Sequence, residues 1–331
     1  MAERKVYKSI AELVGETPLV ELTNYEKANG LEAKVLAKLE YFNPSGSVKD
    51  RAAYRMIKEA EARGEIKPGD TIIDFSSGNT GIALAAYANA LGYKFAVVLQ
   101  PGVSAERTQI LKAYGAIFLE FKDIPGVLEL VAERGLEFDA FYELIQKYAD
   151  EHGYYYINQG RNPENPNAHI ATTGPEIWEA TGGKVDYLVA LVGTGGSIIG
   201  IGKYLKEKNP NIKIIGAQPD KESLKDLRYP ERNTIDGVLT FDGVPEERKI
   251  RYFEEYDFVY DECIDVNADL AYETGRELVK SDGIFLGQSA SAAVNVATQI
   301  AKRPEAKGKN IVAICAVIKP FVLSIWLTIL S

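Results

Sequence analysis

The sequence predicts an α/β protein of two domains, each a mainly parallel twisted sheet flanked by helices, with a ligand cleft between them. Three observations carry this reading. The 331 residues exceed what one hydrophobic core usually supports. Strand-like apolar runs, TIID, KFAVVLQ, AIFLEF, DYLVALV, IKIIGAQ and NIVAICAVI, alternate with longer amphipathic stretches, the pattern of parallel sheets joined by helical crossovers. Three loops rich in Gly, Ser, Thr and Asn, SSGNTG at 76–81, GTGGS at 193–197 and GQSAS at 287–291, fall at equivalent strand-to-helix positions, where such folds bind ligands.

The chain begins MAERKVYKSI, without the apolar region of a secretory signal, so a cytoplasmic location is expected. Acidic residues outnumber basic ones by 47 to 38, for a net charge of −9, which argues against nucleic acid and anionic membranes as partners and for a small-molecule substrate. Only Cys263 and Cys315 are present. They form no disulfide framework, and with His152 and His169 they lack zinc-site spacing, so no metal is expected. Residues 311–331 carry a single charge, Lys319, but Pro320 divides the run into pieces of about ten residues, too short to span a bilayer.

Lys49 follows the turn-forming run Pro44, Ser45, Gly46, Ser47, with Asp50 next to it. A lysine at a helix start has its neutral form favoured by the dipole and nearby amides, and a neutral amine can attack an aldehyde. Taken alone, the segment reads more readily as a solvated helix lysine. The GTGGS loop offers successive N–H groups at a helix start plus the hydroxyls of Thr194 and Ser197, which suits a phosphomonoester. It matches neither the nucleotide phosphate loop, because Tyr204 follows Lys203 where Ser or Thr is needed, nor the dinucleotide pattern, because Ile198 stands where Gly is needed. The polar stretch INQGRNPENPNAH at 157–169 is the natural boundary, giving an N-terminal domain of 43–158 and a C-terminal domain of 1–42 plus 159–331.

With Lys49, SSGNTG and GTGGS in this order, and with GETPLVEL, NPSGSVKDRAA, IKPGDTIIDFSSGNTGIALA, ERTQILKAYGA, TTGPEIW, VGTGGSIIGIGKYLK and IKIIGAQP, the chain resembles the β-family (fold type II, tryptophan synthase β-like) of pyridoxal-phosphate enzymes, specifically the cysteine synthases (O-acetylserine sulfhydrylases). The resemblance implies pyridoxal 5'-phosphate as cofactor and a homodimer. It assigns Lys49 the Schiff-base role, Asn79 the cofactor's phenolic oxygen, Gly193, Thr194, Gly195, Gly196 and Ser197 its phosphate, and Ser289 its pyridine nitrogen. Ser76, Ser77, Gly78 and Thr80 match the loop that closes on the substrate α-carboxylate, assisted by Gln159. A neutral hydroxyl at Ser289 leaves the ring a weaker electron sink than an aspartate would, which favours β-elimination over transamination. The implied reaction is β-replacement at an activated serine, O-acetylserine and sulfide giving cysteine and acetate, with Lys49 moving the Cα proton.

The sequence also departs from the family pattern. Asp236, in IDGVLTFDGVP at 235–245, introduces a carboxylate where the family has a neutral residue. Buried in the site, it would activate water or a thiol, and this motivates an alternative in which the enzyme consumes cysteine, releases hydrogen sulfide and forms serine or lanthionine. The bland alternative is that Asp236 caps a turn. Ser291 adds a side chain to the GQSAS loop. Residues 124–153 are longer than the family segment and form an extra helix or a surface insertion. The ending AVIKPFVLSIWLTILS leaves apolar surface that a dimer interface would bury.

Overall fold

The computed structural model describes residues 6–317 except 77, 101, 136, 227, 230, 247 and 248. Ser77 of the proposed carboxylate loop and the apolar ending from 318 onward therefore lie outside the described residues. Strands β1 (Leu19–Glu21), β2 (Lys34–Leu39), β7 (Tyr187–Leu191), β8 (Lys213–Pro219), β9 (Glu262–Val266) and β10 (Asn310–Cys315) form one sheet in the order β1-β2-β10-β7-β8-β9. The second sheet, in the order β5-β4-β3-β6, holds β3 (Thr71–Asp74), β4 (Lys94–Leu99), β5 (Ile117–Glu120) and β6 (Tyr155–Tyr156). Only the β1–β2 pairing is antiparallel among these; the rest are parallel.

The central strands are covered on both faces, which is why they read as continuous apolar runs. β3 is buried throughout, and in β8 every residue after Lys213 is buried. The helix Gln288–Ala301, rich in alanine, is buried over most of its length, with Ser289, Ser291 and Thr298 among its buried residues, and packs between β10 and the helix Ala268–Ser281. Strands β1, β2, β6 and β9 are absent from the apolar-run reading. β9 is ECIDV at a sheet edge, with only its last residue buried, and β6 has only two residues.

Segment 124–153 is more than a surface insertion. It folds into the helices Val127–Arg134 and Phe138–His152, and Phe141, Ile145 and Ala149 of the second are fully buried against the smaller sheet. Phe141 meets Phe75 edge-on at 4.5 Å between ring centroids, and burying a phenylalanine contributes about 1.5–3 kcal/mol. Among the described residues no helix is long and apolar enough to cross a membrane, and no cluster of His, Cys, Asp or Glu is arranged to hold a metal ion.

Candidate active site

Lys49 is the first residue of the helix Lys49–Ala62, and its neighbours fix it in place. Gly46 takes φ +87°, a left-handed turn that glycine adopts without strain. The buried Asp50 carboxylate then accepts from the Ser45 N–H at 2.7 Å, the Ser45 hydroxyl at 2.6 Å, the Ser47 N–H at 3.2 Å and the Tyr87 hydroxyl. On the other side, Arg51 is buried and donates to Glu40 at 2.7 and 2.9 Å and to Glu176 at 2.6 and 2.7 Å. Thr17 joins this network by donating to Glu40 at 2.6 Å, and Lys38 by donating to Glu176 at 2.6 Å. Buried charges are tolerated only when bonded this fully. GETPLVEL, the Lys-Asp-Arg triplet and TTGPEIW thus meet around Arg51, and Lys49 is left facing a cleft of about 1320 Å³. Burial alone lowers its ammonium to about 8, with no carboxylate opposing it.

The opposite wall of the cleft is a cradle. β7 runs through Val192 into Gly193, Thr194, Gly195 and Gly196, and the helix Gly196–Lys208 begins there. Gly195 has φ +91°. A Cβ on Gly196 would lie 2.2 Å from Asn165 Oδ1, so the loop sits directly on Asn165. Asn165 Nδ2 donates to Thr194 Oγ1 at 3.0 Å and to the Gln159 carbonyl at 2.8 Å. Among the described residues the amides of 193–197 have no acceptor in the protein, as befits the unpaired first turn of a helix that binds an anion.

Ser76, Gly78, Asn79 and Thr80 line the same cleft, at the start of the helix Asn79–Leu91. A Cβ on Gly81 would lie 1.7 Å from the Ser76 carbonyl oxygen, so only glycine lets the loop fold back this closely, and the Gly81 N–H donates to Ser76 Oγ at 3.2 Å. Thr80 Oγ1 donates to Gln159 Oε1 at 2.6 Å. Ser289 lies buried in the first turn of the helix Gln288–Ala301 and also lines the cleft. Asp236 lines it too, but it is exposed, not buried. Its Oδ1 accepts from Thr234 Oγ1 at 3.0 Å, and its N–H approaches Gln288 Oε1 at 3.4 Å. Every described residue named from the sequence as a candidate borders this one cleft.

Sequence reasoning missed a second layer. His169 is fully buried, 3.2 Å from the Ser197 hydroxyl through Nε2 and 2.8 Å from Thr173 Oγ1 through Nδ1. Burial, reinforced by the positive Arg51 and Lys49, holds its imidazole well below the usual histidine range. Asp74, at the end of β3, is buried with Oδ2 unpartnered, and burial pushes its carboxyl up to about 7. Asp139 accepts from both Arg161 and Arg251 at the cleft wall. Asn165 and His169 lie in the stretch read only as a boundary, and their polarity between two apolar segments was the available signal.

These residues suit pyridoxal phosphate on structural grounds. The lysine's ammonium is easily deprotonated, the amides of 193–197 would suit a phosphate, and Ser289 brings a hydroxyl and not a carboxylate to the cleft. A sequence profile of pyridoxal-phosphate dependent enzymes matches residues 10–316. The chain is 40% identical over 316 residues to a cysteine synthase of Staphylococcus aureus, covering 95% of this chain and 94% of that one. The crystal structure of a cysteine synthase from Entamoeba histolytica matches with a TM-score of 0.78 and 35% identity, over 98% of this chain and 91% of that one. A hydrogen sulfide-producing enzyme from Fusobacterium nucleatum matches with a TM-score of 0.76 and 31% identity, over 96% and 98%. The chain belongs to the pyridoxal-phosphate dependent enzymes of fold type II, in the cysteine synthase family.

Proposed function

We propose that the chain catalyses β-replacement at an activated serine, converting O-acetylserine and sulfide to cysteine and acetate. The observation that carries this is the placement of a lysine with its ammonium lowered to about 8 in the same cleft as the unpaired amides of 193–197. Lys49, Asn79, Gly193 to Ser197 and Ser289 would hold the cofactor. Pyridoxal phosphate supplies an electron sink that acidifies the substrate Cα–H. Lys49 takes that proton as a neutral amine. Ser76, Ser77, Gly78, Thr80 and Gln159 grip the α-carboxylate and so fix which bond faces Lys49. The Thr80–Gln159 hydrogen bond couples the two parts of that grip.

The division into residues 43–158 and 1–42 plus 159–331 is supported by the two sheets, since β3 to β6 fall in the first range and the other strands in the second. A cytoplasmic homodimer completes the proposal, following the family resemblance. A second reading, cysteine consumption with release of hydrogen sulfide and formation of serine or lanthionine, is favoured by the likeness to a sulfide-producing enzyme; Asp236 lines the cleft but is exposed, which weakens its part in that reading. The two separate in a paired assay of the holoenzyme, with O-acetylserine plus sulfide in one cell and cysteine alone in the other. Cysteine formed in the first with little sulfide from the second supports biosynthesis. Sulfide from the second with serine or lanthionine overturns it in favour of degradation.

A further inference from the structure

Asp74 is a buried acid at the site for which the proposed reaction has no task. It ends β3 and lines the cleft at 1% exposure, and the loop Ser76–Thr80 follows it directly. The pairing of β3 with β6 continues for one more bond, from the Ile157 N–H to the Ile73 carbonyl at 3.1 Å. Asn158 then takes φ +49°, a left-handed conformation that asparagine tolerates. The next N–H, that of Gln159, meets a side chain and not a strand, donating to Asp74 Oδ1 at 3.4 Å. The far end of Gln159 is held by the Thr80 hydroxyl at 2.6 Å, and its carbonyl accepts from Tyr252 at 2.9 Å and Asn165 at 2.8 Å. Asp74 therefore ties together the two parts of the proposed carboxylate grip, one by its side chain and the other by the chain that follows it.

Its surroundings suit a neutral acid. Oδ2 has no partner among the described residues, and a buried carboxylate left unpaired is far costlier than a buried carboxylic acid. The ionisable groups around it are Tyr142 of the helix Phe138–His152, Tyr156 of β6 and Tyr252 of the helix Arg251–Glu255. Arg161 lies over the Tyr142 ring at 5.7 Å and is bonded to Asp139. Burial brings the Asp74 carboxyl up to about 7, opposed by the N–H groups of Gln159, Phe75 and Asn158 and by no cation. We propose that Asp74 is a positioning residue for the substrate α-carboxylate, holding Gln159 to the Ser76–Thr80 loop as a neutral acid and weakening the grip when it ionises. The inference rests on the β-replacement reading, which gives that loop and Gln159 the α-carboxylate. Two negative charges at one grip repel, so ionised Asp74 lowers the affinity for a carboxylate, and a bound carboxylate by linkage keeps Asp74 protonated to higher pH.

The test titrates the holoprotein and its Asp74→Asn and Asp74→Ala variants with L-serine, which has the α-carboxylate but no activated leaving group, and with L-serinamide, which has no carboxylate. Visible absorbance of the cofactor reads binding from pH 6 to 9. Asp74→Asn keeps an acceptor for the Gln159 N–H and fixes it neutral. It is expected to bind L-serine within about twofold of the unsubstituted protein at pH 6 and about tenfold more tightly at pH 9, the effect of a one-unit rise of the Asp74 carboxyl on binding, with no such difference for L-serinamide. Asp74→Ala, which removes the acceptor, is expected to weaken L-serine about fivefold at pH 6. In the unsubstituted protein alone, the Kd of L-serine relative to that of L-serinamide, each corrected for its own amine, is expected to rise about tenfold between pH 6 and 9, a reading that needs no variant to fold. This pattern in a protein that does not turn over O-acetylserine with sulfide leaves the inference standing and removes only the β-replacement reading. A relative Kd that does not change with pH, an Asp74→Asn profile parallel to the unsubstituted one, or no response to L-serine overturns it.

Discussion

His169 Nε2 stands 3.2 Å from the hydroxyl of Ser197, placing a buried neutral imidazole directly behind the loop proposed to hold the cofactor phosphate. Because Nδ1 is 2.8 Å from Thr173 Oγ1, the ring is held on both sides.

Replacing His169 with Ala removes the partner of Ser197. The expected result is a cofactor affinity lower by about tenfold, the cost of roughly one lost hydrogen bond plus a small cavity, measured by dialysis against cofactor-free buffer. Unchanged cofactor retention would mean that Ser197 is positioned without His169.

Gly196→Ala puts a methyl group 2.2 Å from Asn165 Oδ1. Something must shift, so the variant is expected to purify with little cofactor. Asn165→Ala added to Gly196→Ala relieves the clash and is expected to restore part of the cofactor content, read by visible absorbance. A fully loaded Gly196→Ala protein would show that the loop does not contact Asn165 this closely.

The Lys49 ammonium, lowered to about 8 by burial, predicts how cofactor rebinding depends on pH. Only the neutral amine reacts with an aldehyde. Below about 8 the reactive fraction falls tenfold per pH unit, and above it the fraction levels off. Stopped-flow mixing of apoprotein with pyridoxal phosphate is expected to give rates that rise to a plateau near that pH. Rates still climbing at pH 10 would place the lysine in water.

Burial alone would raise the Glu176 carboxyl from its ordinary 4.5, but Arg51 and Lys38 outweigh burial and hold it down to about 2. A carboxyl depressed in the folded state stabilises it fully above the ordinary value, and that contribution is lost as pH falls through the folded value. The loss is on the order of 3 kcal/mol between pH 4.5 and 2. Denaturant unfolding across that window is expected to show it, and Glu176→Gln to flatten the slope while lowering stability at pH 7. An unchanged slope would mean that the network around Arg51 does not form.

The loops that build the cleft were legible because they end strands buried on both faces, and β3, β7 and β8 announce themselves as apolar runs followed by glycine or serine. β9 was not, because an edge strand of alternating polarity resembles a loop. Lys49 was visible through its neighbours Ser45 to Ser47 and Asp50, but the extent of its burial was not, since desolvation is a property of the packed cleft. His169 and Asn165 act only because the chain from 164 to 173 packs against the helix Gly196–Lys208, where a Cβ on Gly200 would sit 2.2 Å from the Pro166 carbonyl. Nothing local in the sequence encodes that contact. The exposure of Asp236 was equally a matter of tertiary placement.

The proposed chemistry depends on Lys49 being the residue to which pyridoxal phosphate is attached in this cleft. The direct measurement is borohydride reduction of the purified holoprotein followed by peptide mass mapping. The reduced cofactor is expected on the peptide carrying Lys49, with no label and no visible absorption band in Lys49→Ala. Label on another lysine, or a band that survives in the variant, would contradict it.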